Sequence, residues 1–110
     1  MIKNTMKKIK TKIQQDRSVT KESKTELLSL LSKLESEITK ISKIDSEHAE
    51  SITGFIERST HEVTRREKNP ELLKLSLAGL TESVKGFEAS HPALVANVNN
   101  ICTLLANMGI

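Results

Sequence analysis

Residues 25–41 read TELLSLLSKLESEITKI. Leu27, Leu31, Leu34, Ile38 and Ile41 alternate spacings of four and three, with Leu28 and Leu30 widening the stripe. An apolar line with that period is one face of a helix built to pack on other helices, a heptad seam. The same period recurs on both sides of it. Ile2, Met6, Ile9 and Ile13 step four, three, four, and Leu73, Leu77, Leu80, Val84 and Phe87 repeat the full pattern. Leu94, Val98, Ile101, Leu105 and Met108 form a last stripe, flanked by Val95 and Cys102. Between residues 45 and 68, Ala49, Ile52, Ile56 and Val63 share a seam in which Ser59 also sits, with Phe55 beside it. No segment alternates with period two for long enough to make a strand. The spacing therefore predicts an all-α chain of about five helices, a small antiparallel bundle or helical hairpins with coiled-coil-like packing.

Punctuation between the stripes sets the boundaries. Asp16-Arg17-Ser18 reads as a turn, after which Thr20 or Ser23 caps the second helix. Ser23 with Glu26 matches a capping box. At Ile44-Asp45-Ser46 the seam slips, and two readings stay open. Either Asp45 caps a new helix, with Ile44 and Ala49 as a hydrophobic staple, or one long helix carries a polar interruption; the break is preferred. Asn69-Pro70 and Ser90-His91-Pro92 each pair a cap with a proline suited to the first helical position. Gly109 is placed to stop the last helix in a left-handed turn, with Ile110 folding back. Gly54 costs roughly 1 kcal/mol of helix propensity relative to alanine, which an admitted close neighbour would offset. Gly79 and Gly86, seven apart, would share one side of the fourth helix, read either as tolerated glycines, the preferred reading, or as a groove for close approach.

The 110 residues fit one helical domain, 1–110, with 1–17 as a peripheral basic amphipathic helix. Aromatics make up 2% of the chain, Phe55 and Phe87 alone, so the core must be aliphatic and thin. A core that lean invites completion by a second copy. The net charge of +3 hides an asymmetry. Residues 1–24 carry eight bases against two acids, a net +6, and the rest carry nine bases against twelve acids, a net −3. From Ala89 to Ile110 there is no Asp, Glu, Lys or Arg. Cys102 is the sole cysteine, which excludes an intrachain disulfide, and its neighbours Ile101 and Leu104 predict a buried, inert thiol. No secretory leader is apparent, and Pro92–Met108, broken by asparagines, is too short and polar for a membrane span. The cytoplasm is the expected compartment.

The last third, Phe87-Glu88-Ala89-Ser90-His91-Pro92-Ala93-Leu94 followed by an apolar helix ending Leu104-Leu105-Ala106-Asn107-Met108-Gly109-Ile110, resembles the C-terminal signature of the bacterial domain of unknown function 4404 family. The resemblance is most specific over 84–110, looser over 20–44, and does not extend to 45–70. It implies a short, cytoplasmic, helical bacterial protein. No activity and no site residues come with it.

Enzymatic chemistry finds little purchase. His48, His61 and His91 lie in different predicted elements. Glu57 and His61 are four apart, and Glu88 with His91 forms one Glu-x-x-His, where a carboxylate-bridged di-metal bundle needs two such pairs and two further glutamates. Cys102 has no local base to lower its pKa. No nucleophile elbow and no glycine-rich phosphate loop is present. The expected function is therefore non-enzymatic and cofactor-free: a protein–protein interaction or homo-oligomerisation module, a dimer being favoured. Its candidate partner interface is Asn97, Ile101, Leu104, Leu105 and Met108 on the charge-free last helix. There neutral amides can hydrogen-bond across an interface without the desolvation cost of charge; the bland counterpart is a central helix within one chain. The alternative is a peripheral adaptor whose Lys3, Lys7, Lys8, Lys10 and Lys12 meet an anionic membrane or nucleic acid. The bland counterpart is a solvated helix docking its apolar stripe on the bundle.

Overall fold

Thr20 opens the longest helix, because its hydroxyl accepts the Ser23 amide at 3.2 Å. Ser23 is thus a first-turn residue rather than a cap, and the capping box expected from it does not form. The computed structural model describes residues 2–108. They form five helices: α1 (Ile2–Gln15), α2 (Lys21–Ser42), α3 (Ser46–Thr64), α4 (Pro70–Ser83) and α5 (Pro92–Met108). At 1.5 Å per residue the 22 residues of α2 span about 33 Å. The long dimension of the molecule is 37 Å, so this one helix nearly sets its length. Its seam, Leu27 through Ile41, is fully buried.

The seam slip at Asp45 is a true break. The amides of Ile44 and Asp45 both donate to the Ile41 carbonyl, and the Asp45 carboxylate then accepts the His48 amide at 3.0 Å to start α3. The hydrophobic staple does not form: Ile44 is 80% exposed, turned away from buried Ala49. Asn69 caps α4 by accepting the Leu72 amide at 3.2 Å, with Pro70 in the first turn. At α5, Pro92 again begins the helix and the His91 carbonyl accepts the Val95 amide. Gly109 and Ile110, read as the stop of α5, lie outside the described residues.

Connections of three to eight residues join α2 to α3, α3 to α4 and α4 to α5, so successive helices reverse direction. α5 returns to pack on α2, closing a ring of four, with α3 also reaching α5 across it. α1 lies outside this ring and touches only α2 and α3. All five helices feed one continuous aliphatic cluster, in which Met6, Ile9 and Ile13 of α1 are as buried as the seam of α2. The bland reading of the first stripe is the observed one.

Two expectations for the fourth helix need correction. α4 ends at Ser83, so Val84 and Phe87 lie beyond it, although both still reach the core from the connection. The chain leaves the helix because the Ser83 hydroxyl donates to the Leu80 carbonyl and Gly86 adopts φ +96°, a left-handed conformation that favours glycine. Gly79 and Gly86 therefore do not share a groove. Gly79 alone admits a neighbour: a Cβ there would lie 2.3 Å from the ring of Phe55. Among the described residues, a Cβ at Gly54 would meet nothing within 4 Å, so no neighbour is admitted there.

The two glycines consequently predict opposite responses to alanine. Gly54→Ala is expected to raise the unfolding free energy by about 1 kcal/mol, the full propensity difference. Gly79→Ala is expected to lower it by about 1 kcal/mol, because displacing the Phe55 ring outweighs that gain. Chemical denaturation of the two variants checks the pair; equal shifts would show that the ring over Gly79 contributes nothing.

Ser59 is the other departure from an apolar seam. Its hydroxyl is fully buried and has no hydrogen-bond partner among the described residues, a standing cost of roughly 1–3 kcal/mol in such a site. Thr53, also buried, avoids that cost by donating to the Ala49 carbonyl.

Candidate functional site

The three histidines separate into a pair and a single. His48, in the first turn of α3, and His91, just before α5, both approach the ring of Phe87. Their ring centroids lie 5.5 and 5.6 Å from it in edge-to-face geometry. His48 Nδ1 lies 2.7 Å from Asp45, and His91 Nδ1 lies 3.0 Å from the Ser90 hydroxyl. The His48 amide, chief among its hydrogen bonds, holds the Asp45 carboxyl below the usual carboxylate range, with help from the His48 ring. The cluster clamps the α4–α5 connection onto the start of α3, which gives the Phe87-to-Pro92 segment a packing role. His61 is exposed on α3, on the same helix as Glu57. Among the described residues, no three or more His, Cys, Asp or Glu side chains gather as a metal-holding group.

Cys102 is half-buried between α4 and α5, with its sulfur 3.8 Å from the Thr81 hydroxyl. Burial pushes its thiol pKa up, only partly offset by that hydroxyl. A raised thiol pKa leaves little thiolate at neutral pH, the opposite of what a nucleophile requires.

The candidate interface on α5 divides in two. Ile101 and Leu105 are buried within the chain itself, because α5 turns its stripe into the ring of four. They cannot face a partner, which corrects their assignment to an interface. Asn97, Leu104 and Met108 are half-buried at the edge of that stripe, the latter two packed against the core. What α5 turns outward is Ala93, Ala96, Asn100, Thr103 and Asn107, all exposed and uncharged.

The basic face also divides. Lys10 is half-buried and pairs with Glu35 of α2 at 2.9 Å. Lys3, Lys7, Lys8 and Lys12 are exposed, and none forms an ion pair among the described residues. Lys7, Lys8 and Lys12 line an open groove of about 700 Å³ between α1 and α3, where Glu57 and Thr60 form the opposite wall. The Ile/Met stripe beneath these lysines is buried, so the face is charged without being amphipathic.

One surface went unread in the sequence. Leu72 and Leu75 of α4 are 41% and 67% exposed, and Phe55 of α3 is 38% exposed. Leu72, Leu75 and Gly79 fall at helical spacings of three and four on one face of α4, and the Phe55 ring fills the space above Gly79. The signal available was two leucines off the Leu73–Leu77–Leu80 seam but in phase with each other.

Ring, cap and core together define a class: an all-α protein in which four helices form a ring and a basic helix packs on one edge of it. The chain belongs to the domain of unknown function family DUF4404, whose model matches residues 27–110. That match runs through 45–70, the segment that the C-terminal resemblance did not cover. It begins at the first seam residue of α2, and α1 lies outside it. No curated protein and no solved structure matches the chain. Among the described residues, no helix is long and apolar enough to cross a membrane.

Proposed function

We propose that the chain is a non-enzymatic helical interaction module, and that it associates with a second copy of itself through the Phe55–Leu72–Leu75 face. The observation that carries this reading is the grouping of three large exposed apolar side chains on one side of the α3–α4 pair. Single exposed leucines are ordinary on a protein surface, but grouped ones mark a place where surface is removed from water by association. Leu75 stands farthest out and would lie at the centre of a two-fold contact, where the same patch meets itself. Light scattering across 1–100 µM is expected to show a concentration-dependent dimer for the native chain. The Leu75→Lys chain should stay monomeric with unchanged helicity. A native chain that remains monomeric throughout sinks the self-association.

A second reading rests on α1. Four unpaired lysines on one helix attract anionic partners, each contributing about 1 kcal/mol near a charged lipid surface. With the apolar stripe buried, the attraction is purely electrostatic, so this adaptor reading expects binding to anionic vesicles or nucleic acid that disappears between about 50 and 200 mM salt. Binding that survives 200 mM salt, or none at 50 mM, counts against it.

A further inference from the structure

Most of the groove that holds α1 lies within the residues that the family model matches, while its occupant lies outside them. The matched region takes in α3, α4, α5 as far as described, and α2 from Leu27 on, and α1 packs only on the α2–α3 edge. The fit there is specific. Met6, Ile9 and Ile13 sink completely into the groove, with Ile2 packed at its end. Lys10 meets Glu35 on the α2 wall, and the Lys24 ammonium of α2 donates to the Gln14 carbonyl at 2.9 Å, near the end of α1. On the α3 wall, Thr53 and Thr60 are buried, and Glu50 and Glu57 stand on the rim beside Ile2, Thr5, Lys8 and Lys12. Apolar floor and acidic rim face apolar stripe and basic flanks.

A 14-residue helix is marginal in water on its own, so α1 depends on the groove for its structure. Only five residues, 16–20, tether it to α2. Asp16 organises that tether. Burial works to raise its carboxyl, but hydrogen bonds from the Ser18 hydroxyl and amide, with Lys68 and Lys24 nearby, leave it below the ordinary carboxylate range.

We propose that the α2–α3 groove is a helix-receiving site for a lysine-bearing amphipathic helix with Ile or Met at i, i+3 or i+4, and i+7. Its own α1 is the resident occupant, and the α1 of a second copy is the occupant that replaces it. This site is on the opposite edge of α3 from the Phe55 patch and does not depend on the patch being an interface. The resident helix competes with any incoming one through its high effective concentration, so the site is masked in the native chain.

The test uses a labelled, end-blocked peptide of residues 2–15, titrated by fluorescence anisotropy against the full native chain and the full Ile9→Asp chain. The Ile9→Asp chain, its own α1 undocked, is expected to bind the peptide at least tenfold more tightly than the native chain. The same peptide carrying Ile9→Asp is expected not to bind either. Equal binding by both chains, or saturable binding by neither, overturns the proposal. Hydrogen exchange on the native chain keeps the question open to refutation should Ile9→Asp disrupt the fold. The amides of α1 are expected to exchange through an opening that leaves those of α5 protected. Exchange of both together only on global unfolding overturns it.

Discussion

Truncating Ile101 to alanine is expected to lower the free energy of unfolding by about 3 kcal/mol, within the range for large aliphatic residues removed from a packed core. Ile101 is fully buried, and α5 meets α2, α3 and α4 along the stripe that contains it. The cost combines the lost transfer energy of the removed carbons with the cavity left among rigid neighbours. The adjoining Asn100, exposed on the outward face, supplies the control, and Asn100→Ala should change stability by no more than about 0.5 kcal/mol. Urea denaturation of the two variants separates core from surface on one helix. An Ile101→Ala chain as stable as the native one would mean that α5 does not pack as described.

The second large effect concerns a carboxylate taken into the interior. Glu62 is 3% exposed, and Arg65, one turn on, donates to it from Nη1 at 2.9 Å. Arg65→Ala removes the partner and leaves a charge in a poorly solvated place, which destabilises more than the pair itself stabilises. The expected loss is about 2 kcal/mol, below the cost for a wholly buried pair because Arg65 keeps part of its surface in water. Replacing both residues, as Glu62→Met with Arg65→Ala, removes the buried charge and is expected to recover most of that loss. A double-mutant cycle measures the difference. If Arg65→Ala alone costs nothing, the Glu62 carboxylate has another source of solvation and the pair is incidental.

Helix periodicity made most of the fold legible. Every residue of the Leu27–Ile41 seam is buried, and the caps at Asp45 and Asn69 could be located because a short polar side chain stood where a stripe lost phase. The failures have physical causes. Val84 and Phe87 kept the helical phase although the helix had ended, since a tight connection can deliver side chains to a core at nearly the same spacing as another turn. Gly86 looked like a helix residue because its positive φ leaves no trace in hydropathy. The interface assigned to Ile101 and Leu105 failed for a different reason. A charge-free helix does need cover, but the sequence does not say which side the ring provides, and the ring took the apolar stripe. The Phe55–Leu72–Leu75 face depends on two helices meeting with a ring over a glycine, a tertiary relation that no single stripe encodes. The basic face was legible by composition, and only packing separated Lys10, paired to Glu35, from the four lysines left in water.

The placement of α1 on one flank makes the molecule an electric dipole of fixed orientation. Its positive pole is the lysine-bearing helix on the α2–α3 edge, and the α5 face offers no formal charge to counter it. An anionic surface is therefore expected to meet this positive pole first, whatever the modest net charge of +3 implies. On a cation-exchange matrix it is expected to be retained as a more basic protein than its net charge implies, held by one side while the uncharged side faces the buffer.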